Sequence, residues 1–322
     1  MTGVAVRRSI SGPFGLLALA TTLSGCELDE VTLAQPEDIP IVEAYVMVGD
    51  GQDQVTAFVH WTLGERPVRD LSDLDFILHT EGGEEVPLFP APLSECLLPG
   101  LEEEVKGVCF SGGFDVEDFF EPGTRVELEI FLGEGRILRG GTQIPEAIDL
   151  IRPVARDQCA LAPGRTLEFI WNRSPGVWAY AAETEIKGLR DALAAQGITV
   201  DVDSLALLGF AVSDSDTTIV FPREFGVFDR FDLDQDVALA LQEGLPQGAV
   251  AGVVIAAVDQ NYVNWVRGGN FNPSGPVRVS SLRGSGLGVF GSVFRRSIIV
   301  KGGDPNFSPG SLLPNCLPNR EP

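Results

Sequence analysis

Histidine is nearly missing: the 322 residues include two, His60 and His79. That leaves little material for a histidine general base or a histidine-bound metal. Cysteine is scarce too, at five, and no C-x-x-C occurs, so the spacing of zinc ribbons and dithiol redox motifs is absent. No G-x-S-x-G nucleophile elbow occurs either. Basic residues number 23 against 46 acids, a formal net charge of −23. Such an acidic chain repels phosphate backbones, which argues against nucleic acid as a partner. The apolar runs at Phe14–Leu19 and Ala249–Val258 are too short to span a bilayer.

What is present is globular material. Apolar residues make up 44% and charged residues 21%, unlike a disordered chain. The length suits roughly two domains. At the N-terminus, Arg7 and Arg8 precede the apolar run, and small residues follow it. That order is a secretory signal. It ends in Leu23-Ser24-Gly25-Cys26, which resembles the bacterial lipobox. The resemblance implies that residues 1–25 are a lipoprotein signal peptide and that cutting leaves Cys26 first. It also implies diacylglycerol on the Cys26 thiol and an acyl chain on its amine. Two or more chains anchor stably where one would be marginal. The implied location is the bacterial cell envelope, with the outer membrane favoured. Residues 26–40, with Glu27, Asp29, Glu30, Glu37 and Asp38, read as an acidic tether.

Export changes how the other cysteines read. Cys96, Cys109, Cys159 and Cys316 form an even set in an oxidising compartment, which suggests two disulfides among three possible pairings. The short loop favours Cys96–Cys109, leaving Cys159–Cys316. Each would add roughly 2–4 kcal/mol.

Period-two patterning dominates the mature chain. Val42, Ala44, Val46 and Val48 share one face, and after Gly49-Asp50-Gly51 so do Val55, Ala57, Val59 and Trp61. Two such runs around a glycine turn predict a hairpin. Leu74, Phe76 and Leu78 predict a third strand. In 125–132, Val126, Leu128, Ile130 and Leu132 alternate with Arg125, Glu127 and Glu129, a sheet with one wet face. Its partner runs from Arg136 to Ile144. On Pro122-Gly123-Thr124, this hairpin and Thr142-Gln143-Ile144-Pro145, residues 41–147 resemble a transthyretin-like or carboxypeptidase-regulatory-like β-sandwich.

Residues 148–322 open a second pattern. Leu167, Phe169 and Trp171 alternate, Ser174-Pro175-Gly176 turns, and Val177–Glu183 carries Tyr180. A strand ending in Trp, a Pro-Gly turn and a strand with a central Tyr resemble strands B and C of a fibronectin type III domain. Ile186, Leu189 and Leu193 stand at helical spacing, which predicts a helical insertion over 184–196. Strands are expected at Leu205–Val212, Thr217–Phe221 and Ala249–Val258, and a helix over 236–243. The chain then ends in a glycine-rich tail. The expected fold is mainly β: two sandwich-like domains, Ig-like or transthyretin-like and then fibronectin III-like.

Asn272-Pro273 and Gly286-Leu287-Gly288-Val289-Phe290, taken with the lipobox and the sandwich patterns, resemble a family of bacterial envelope lipoproteins carrying a domain of unknown function. Its members are often encoded beside TonB-dependent outer-membrane receptors. That resemblance implies envelope location, no catalytic residues, and an outer-membrane receptor protein as partner.

Candidate chemistry is thin. Gly286, Gly288 and Gly291 fit G-x-G-x-x-G, but the residues from Ser292 to Val300 look like a strand, whereas a dinucleotide site needs a helix there. The expected cofactor is none. Asp232, Asp234, Asp236 and Glu243 alternate like a calcium loop but have Val237 where the turn glycine belongs. Acids at a helix start explain them as well. Glu127 and Glu129 could pair in a glycosidase, yet they sit on a wet strand face. The expectation is a non-enzymatic binding or accessory protein. The rival expectations are an envelope hydrolase or carbohydrate-active enzyme, and a purely structural lipoprotein.

Overall fold

The computed structural model describes residues 38–51, 53–62, 74–97, 106–113, 119–133, 135–155, 157–201, 203–211, 214–227, 235–267, 278–303 and 313–317. The signal peptide, Cys26, most of the tether, Asp232, Asp234 and Asn272-Pro273 lie outside them. The chain is mainly β.

In chain order the described strands begin with β1 (Pro40–Val48), β2 (Gln54–Trp61), β3 (Asp75–Thr80), β4 (Glu85–Ala91), β5 (Val108–Gly113), β6 (Arg125–Phe131) and β7 (Ile137–Gln143). Then come β8 (Leu150–Arg152), β9 (Gln158–Leu161), β10 (Leu167–Trp171), β11 (Ala179–Lys187), β12 (Ser204–Ala211), β13 (Thr218–Phe221) and β14 (Gly226–Val227). The last are β15 (Val250–Val258), β16 (Arg283–Gly284) and β17 (Leu287–Gly302). Among the described residues three α-helices interrupt them: α1 (Leu189–Ala194), α2 (Gln235–Glu243) and α3 (Gln260–Arg267).

Most strands pair along one path, β14-β12-β11-β15-β17-β1-β2-β5-β4-β3-β6-β7-β16. β4 changes layer midway. Its first half pairs with β3, through Phe76↔Leu88, and its second half with β5, through Phe89↔Ser111. The path therefore folds over itself, and Phe76 meets Phe110 across the core with ring centroids 4.4 Å apart. Val42, Ala44, Val46, Leu78, Val126, Leu128 and Ile130 fill that core. Strict alternation put them there: shifting any of these strands by one residue would turn its apolar side to water.

The same core continues under the three-stranded sheet β13-β10-β8. Leu167, Phe169 and Trp171 point into it, and Trp171 packs edge-on against Tyr180 at 5.3 Å. The Tyr180 hydroxyl accepts the Ser174 backbone N–H at 2.8 Å, so the buried ring keeps a partner for its polar tip.

Three sequence expectations change. The glycine-rich segment is not a tail. β17 runs through the middle of the path, parallel to β1 through Ile41↔Leu287 to Val48↔Phe294 and antiparallel to β15 through Val258↔Val293 to Val250↔Lys301. Phe290 in its first half and Ile298 and Val300 in its second belong to one continuous core with β1 and β10, and residues Glu37–Pro322 form one compact unit across the expected boundary at 147/148. The 184–196 helix is also shorter than its spacing suggested. Thr184 and Ile186 are buried and Glu185 and Lys187 exposed, which is strand alternation. Gly188, at φ 76°, ends that strand, and α1 begins only at Leu189.

The four cysteines pair as Cys96–Cys109 and Cys159–Cys316. The second bond ties Leu313–Leu317 to β9, beside β17.

Candidate functional site

The outward face of the β3-β6-β7-β16 sheet is the floor of an open groove of about 1140 Å³. Register sets the floor chemistry. One row across the strands reads Ile77, Glu129, Arg139, Arg283, and the next reads His79, Glu127, Gly141. Arg125 stands one row further along β6. Gln260, Asn261 and Asn264 of α3 make one wall, and Ser280 and Ser281 the other.

Ion pairs organise the floor. Arg139 donates through Nε to Glu129 Oε1 at 2.9 Å, and its Nη2 contacts the same oxygen. Arg125 Nε lies 3.3 Å from Glu127 Oε1. His79 stands between Glu129, at 3.7 Å, and Glu85, at 3.8 Å. Pairs this exposed add at most about 1 kcal/mol each, so their arrangement bears more on recognition than on stability.

The α3 wall is held by a buried polar chain. Asp259 precedes the helix, and its Oδ1 accepts the Tyr262 N–H at 2.9 Å, as an N-cap does. Asp259 Oδ2 lies 2.6 Å from Thr142 Oγ1, Thr142 Oγ1 lies 2.8 Å from Ser292 Oγ, and Ser292 donates to the Gln143 carbonyl at 2.9 Å. Asn261 adds two bonds, to the Gly141 carbonyl at 3.0 Å and the Phe290 carbonyl at 2.8 Å. One helix end is thereby fixed to β7 and β17 together. Burial raises the Asp259 carboxyl above its ordinary value, outweighing the hydrogen bonds that lower it. The apolar side of α3 rests on the outer sheet face, with Val263 against Ala179, Ala181, Ala256, Val258 and Val293.

A second cluster lies outside the groove on β1 and β2. Glu43 lies 3.5 Å from His60 Nε2 and 3.1 Å from Arg278 Nη1, while the Arg278 guanidinium sits 4.8 Å above the Trp265 ring. Burial pushes the Glu43 carboxyl up, but His60, Arg278 and Trp265 outweigh it and hold it below the usual value. Tyr45 and Tyr262 meet edge-on at 5.5 Å, and burial pushes the Tyr262 hydroxyl to about 12.

Of the residues singled out from the sequence, His79, Glu127 and Glu129 come together in the groove, and the others do not join them. His60 and His79 stand on β2 and β3, in the two different clusters. Gly288 and Gly291 lie inside β17, so a strand and not a helix follows the glycines. Asp236 is in the first turn of α2 and Glu243 is its last residue, while Asp232 and Asp234 lie outside the described residues. Among the described residues no three His, Cys, Asp or Glu side chains are grouped to hold a metal. Of the acids weighed for catalysis, Glu127 and Glu129 do enter the groove. The α3 amides were not foreseen. The signal that could have found them is Asp259 as a helix cap, with Tyr262, Val263 and Val266 recurring three and four residues apart.

No family model matches the chain, and no curated protein matches it. Solved structures similar to it include Dpr11 IG1 bound to DIP-gamma IG+IG2, at 8% identity and TM-score 0.18, covering 84% of this chain and 100% of that one. Trypsin-activated alpha-2-macroglobulin from Escherichia coli matches at 9% identity and TM-score 0.19, covering 83% of this chain and 16% of that one. DIP-gamma IG1+IG2 matches at 6% identity and TM-score 0.19, covering 84% and 99%. Similarity at this level carries no functional inference.

Proposed function

We propose that the chain is a lipid-anchored protein of the bacterial cell envelope, held through Cys26, and that it works by binding. In this reading it is an accessory to an outer-membrane assembly, with a receptor protein as partner. The observation that carries the binding role is the groove, which sets guanidinium, carboxylate, amide and hydroxyl groups on one rigid sheet face and one anchored helix. Polar groups preorganised in this way favour orientation and specificity. The lipobox supports the anchor, and the paired cysteines suit an oxidising compartment. A hydrolase would need Glu127 and Glu129 facing a common substrate, whereas each is engaged by an arginine beside it.

Asn264→Trp tests the role, because it places a large ring in the groove from the helix side. Affinity capture from detergent-solubilised envelopes should recover a partner or ligand with wild-type protein and lose most of it with the variant, at unchanged thermal stability. Equal recovery by both proteins contradicts the groove as the binding surface.

A further inference from the structure

Arg283 and Arg139 are directly opposed on neighbouring antiparallel strands, so both side chains leave the same sheet face. Like charges in that position destabilise a sheet. One carboxylate, Glu129, serves the pair, and it is bonded to Arg139. The Arg283 side chain is exposed and has no ion pair or hydrogen bond among the described residues. A third guanidinium lies beside them. A Cβ built on Gly141 would sit 2.6 Å from Arg125 Nη2 and 3.2 Å from its Cζ, so that guanidinium rests on the glycine. Gly141 does not have a positive φ, so what the glycine supplies there is room for Arg125. Three of only 23 basic residues thus gather on the floor of one groove in a strongly acidic chain. Two carboxylates, Glu127 and Glu129, share that floor and pair with Arg125 and Arg139, while Glu81 and Glu85 stand against the Arg125 N–H and His79, which leaves the Arg283 guanidinium without a paired carboxylate. Amide groups from Gln260 and Asn264 border it.

We infer that the Arg139–Arg283 end of the groove is an oxyanion seat, which takes a carboxylate or a phosphate group of the bound ligand. This deepens the binding reading above and rests on it. Planar guanidinium forks match both oxyanions and bind them through paired charge-assisted hydrogen bonds. An oxyanion placed over Arg283 also relieves the repulsion between the facing arginines. The seat therefore costs the empty protein stability that the ligand restores, a common trade at binding sites.

The test uses the whole chain and two anionic probes, a trigalacturonate for carboxylates and tripolyphosphate for phosphates, with a neutral trigalactoside as control. Calorimetric titration at low salt should show wild-type binding to at least one anionic probe, and which one identifies the oxyanion. Arg283→Ala should weaken that binding about tenfold or more. The same variant should melt, without ligand, at the wild-type temperature or above it. A variant that melts lower would make Arg283 a structural residue and overturn the inference. So would the absence of anion binding in wild type, equal binding by the variant, or equal binding of the neutral control. These outcomes are separate from the Asn264→Trp comparison: groove-dependent capture that persists without anion binding keeps the binding role and removes only the seat.

Discussion

Gly288→Ala should cost the protein about 3–5 kcal/mol, enough to unfold a marginally stable domain. Two facts combine. Gly288 has φ 152°, in the range L side chains rarely adopt. A Cβ there would lie 2.0 Å from the Val42 carbonyl oxygen, its partner across the β1–β17 ladder. The obstacle is backbone in the middle of a buried sheet, so no rotamer change removes it. The damage would reach the groove as well. The Gly288 carbonyl accepts the Ser281 N–H at 3.0 Å and the Ser280 hydroxyl at 3.0 Å, and its N–H donates to Ser280 Oγ at 3.1 Å. Those bonds set the wall that leads into Arg283. Gly252→Ala is the matched control, since a Cβ there meets nothing within 4 Å and the residue sits on β15. Urea denaturation should show that variant equal to wild type, or more stable by up to about 1 kcal/mol. Two variants of similar stability would contradict the close approach of β1 and β17.

Asp259 is expected to separate charge from shape. Its chain has three contacts ending on a carbonyl, Asp259 to Thr142 to Ser292 to Gln143. Three contacts need three protons, and the two hydroxyls supply two. An ionised Asp259 takes the Thr142 proton and leaves the Thr142–Ser292 contact unfilled, whereas a protonated one fills it; burial raises its pKa although the Thr142 bond lowers it. The sign follows. The folded state holds this proton more tightly than the unfolded chain, so the stability it confers is full below 3.8 and falls as pH rises through the folded pKa. Asp259→Asn supplies an N–H in place of the acid proton, so Thr142 can donate onward to Ser292. That variant should be at least as stable as wild type at neutral pH and lack this component of the pH dependence. Glu43, held below its usual value, runs the other way, and the difference between variant and wild type isolates Asp259. Asp259→Ala should lose about 2–4 kcal/mol, from the lost helix cap and the stranded hydroxyls. It should also lose groove binding, because α3 is no longer fixed to β7 and β17. Denaturation curves across pH for the three proteins check both statements.

Much of the fold could be read where local alternation carries it. The β1–β2 and β6–β7 hairpins follow from period two and glycine turns, and Trp171 and Tyr180 are buried together as their spacing suggested. What could not be read depends on distance or on broken local rules. β4 pairs in both layers despite Pro87 and Pro90, residues that normally count against a paired strand. The parallel match of Val42 with Gly288 joins segments far apart in sequence, and no periodicity announces it. Around Ile186 two periods overlap, and burial of both Thr184 and Ile186 decides for the strand. The groove was the least legible feature. Its floor comes from β3, a hairpin and a two-residue strand, and its walls from a helix of eight residues with two asparagines and from Ser280 and Ser281, none of them distinctive alone.

In the proposed function this acidic β protein works while tethered to a membrane. Intact-mass analysis of the protein extracted from the cell envelope tests that most directly. It should give a chain beginning at Cys26 that carries diacylglycerol and an N-acyl group, while Cys26→Ala appears in the soluble fraction. An unmodified Cys26, or a Cys26→Ala protein that still fractionates with membranes, would contradict it.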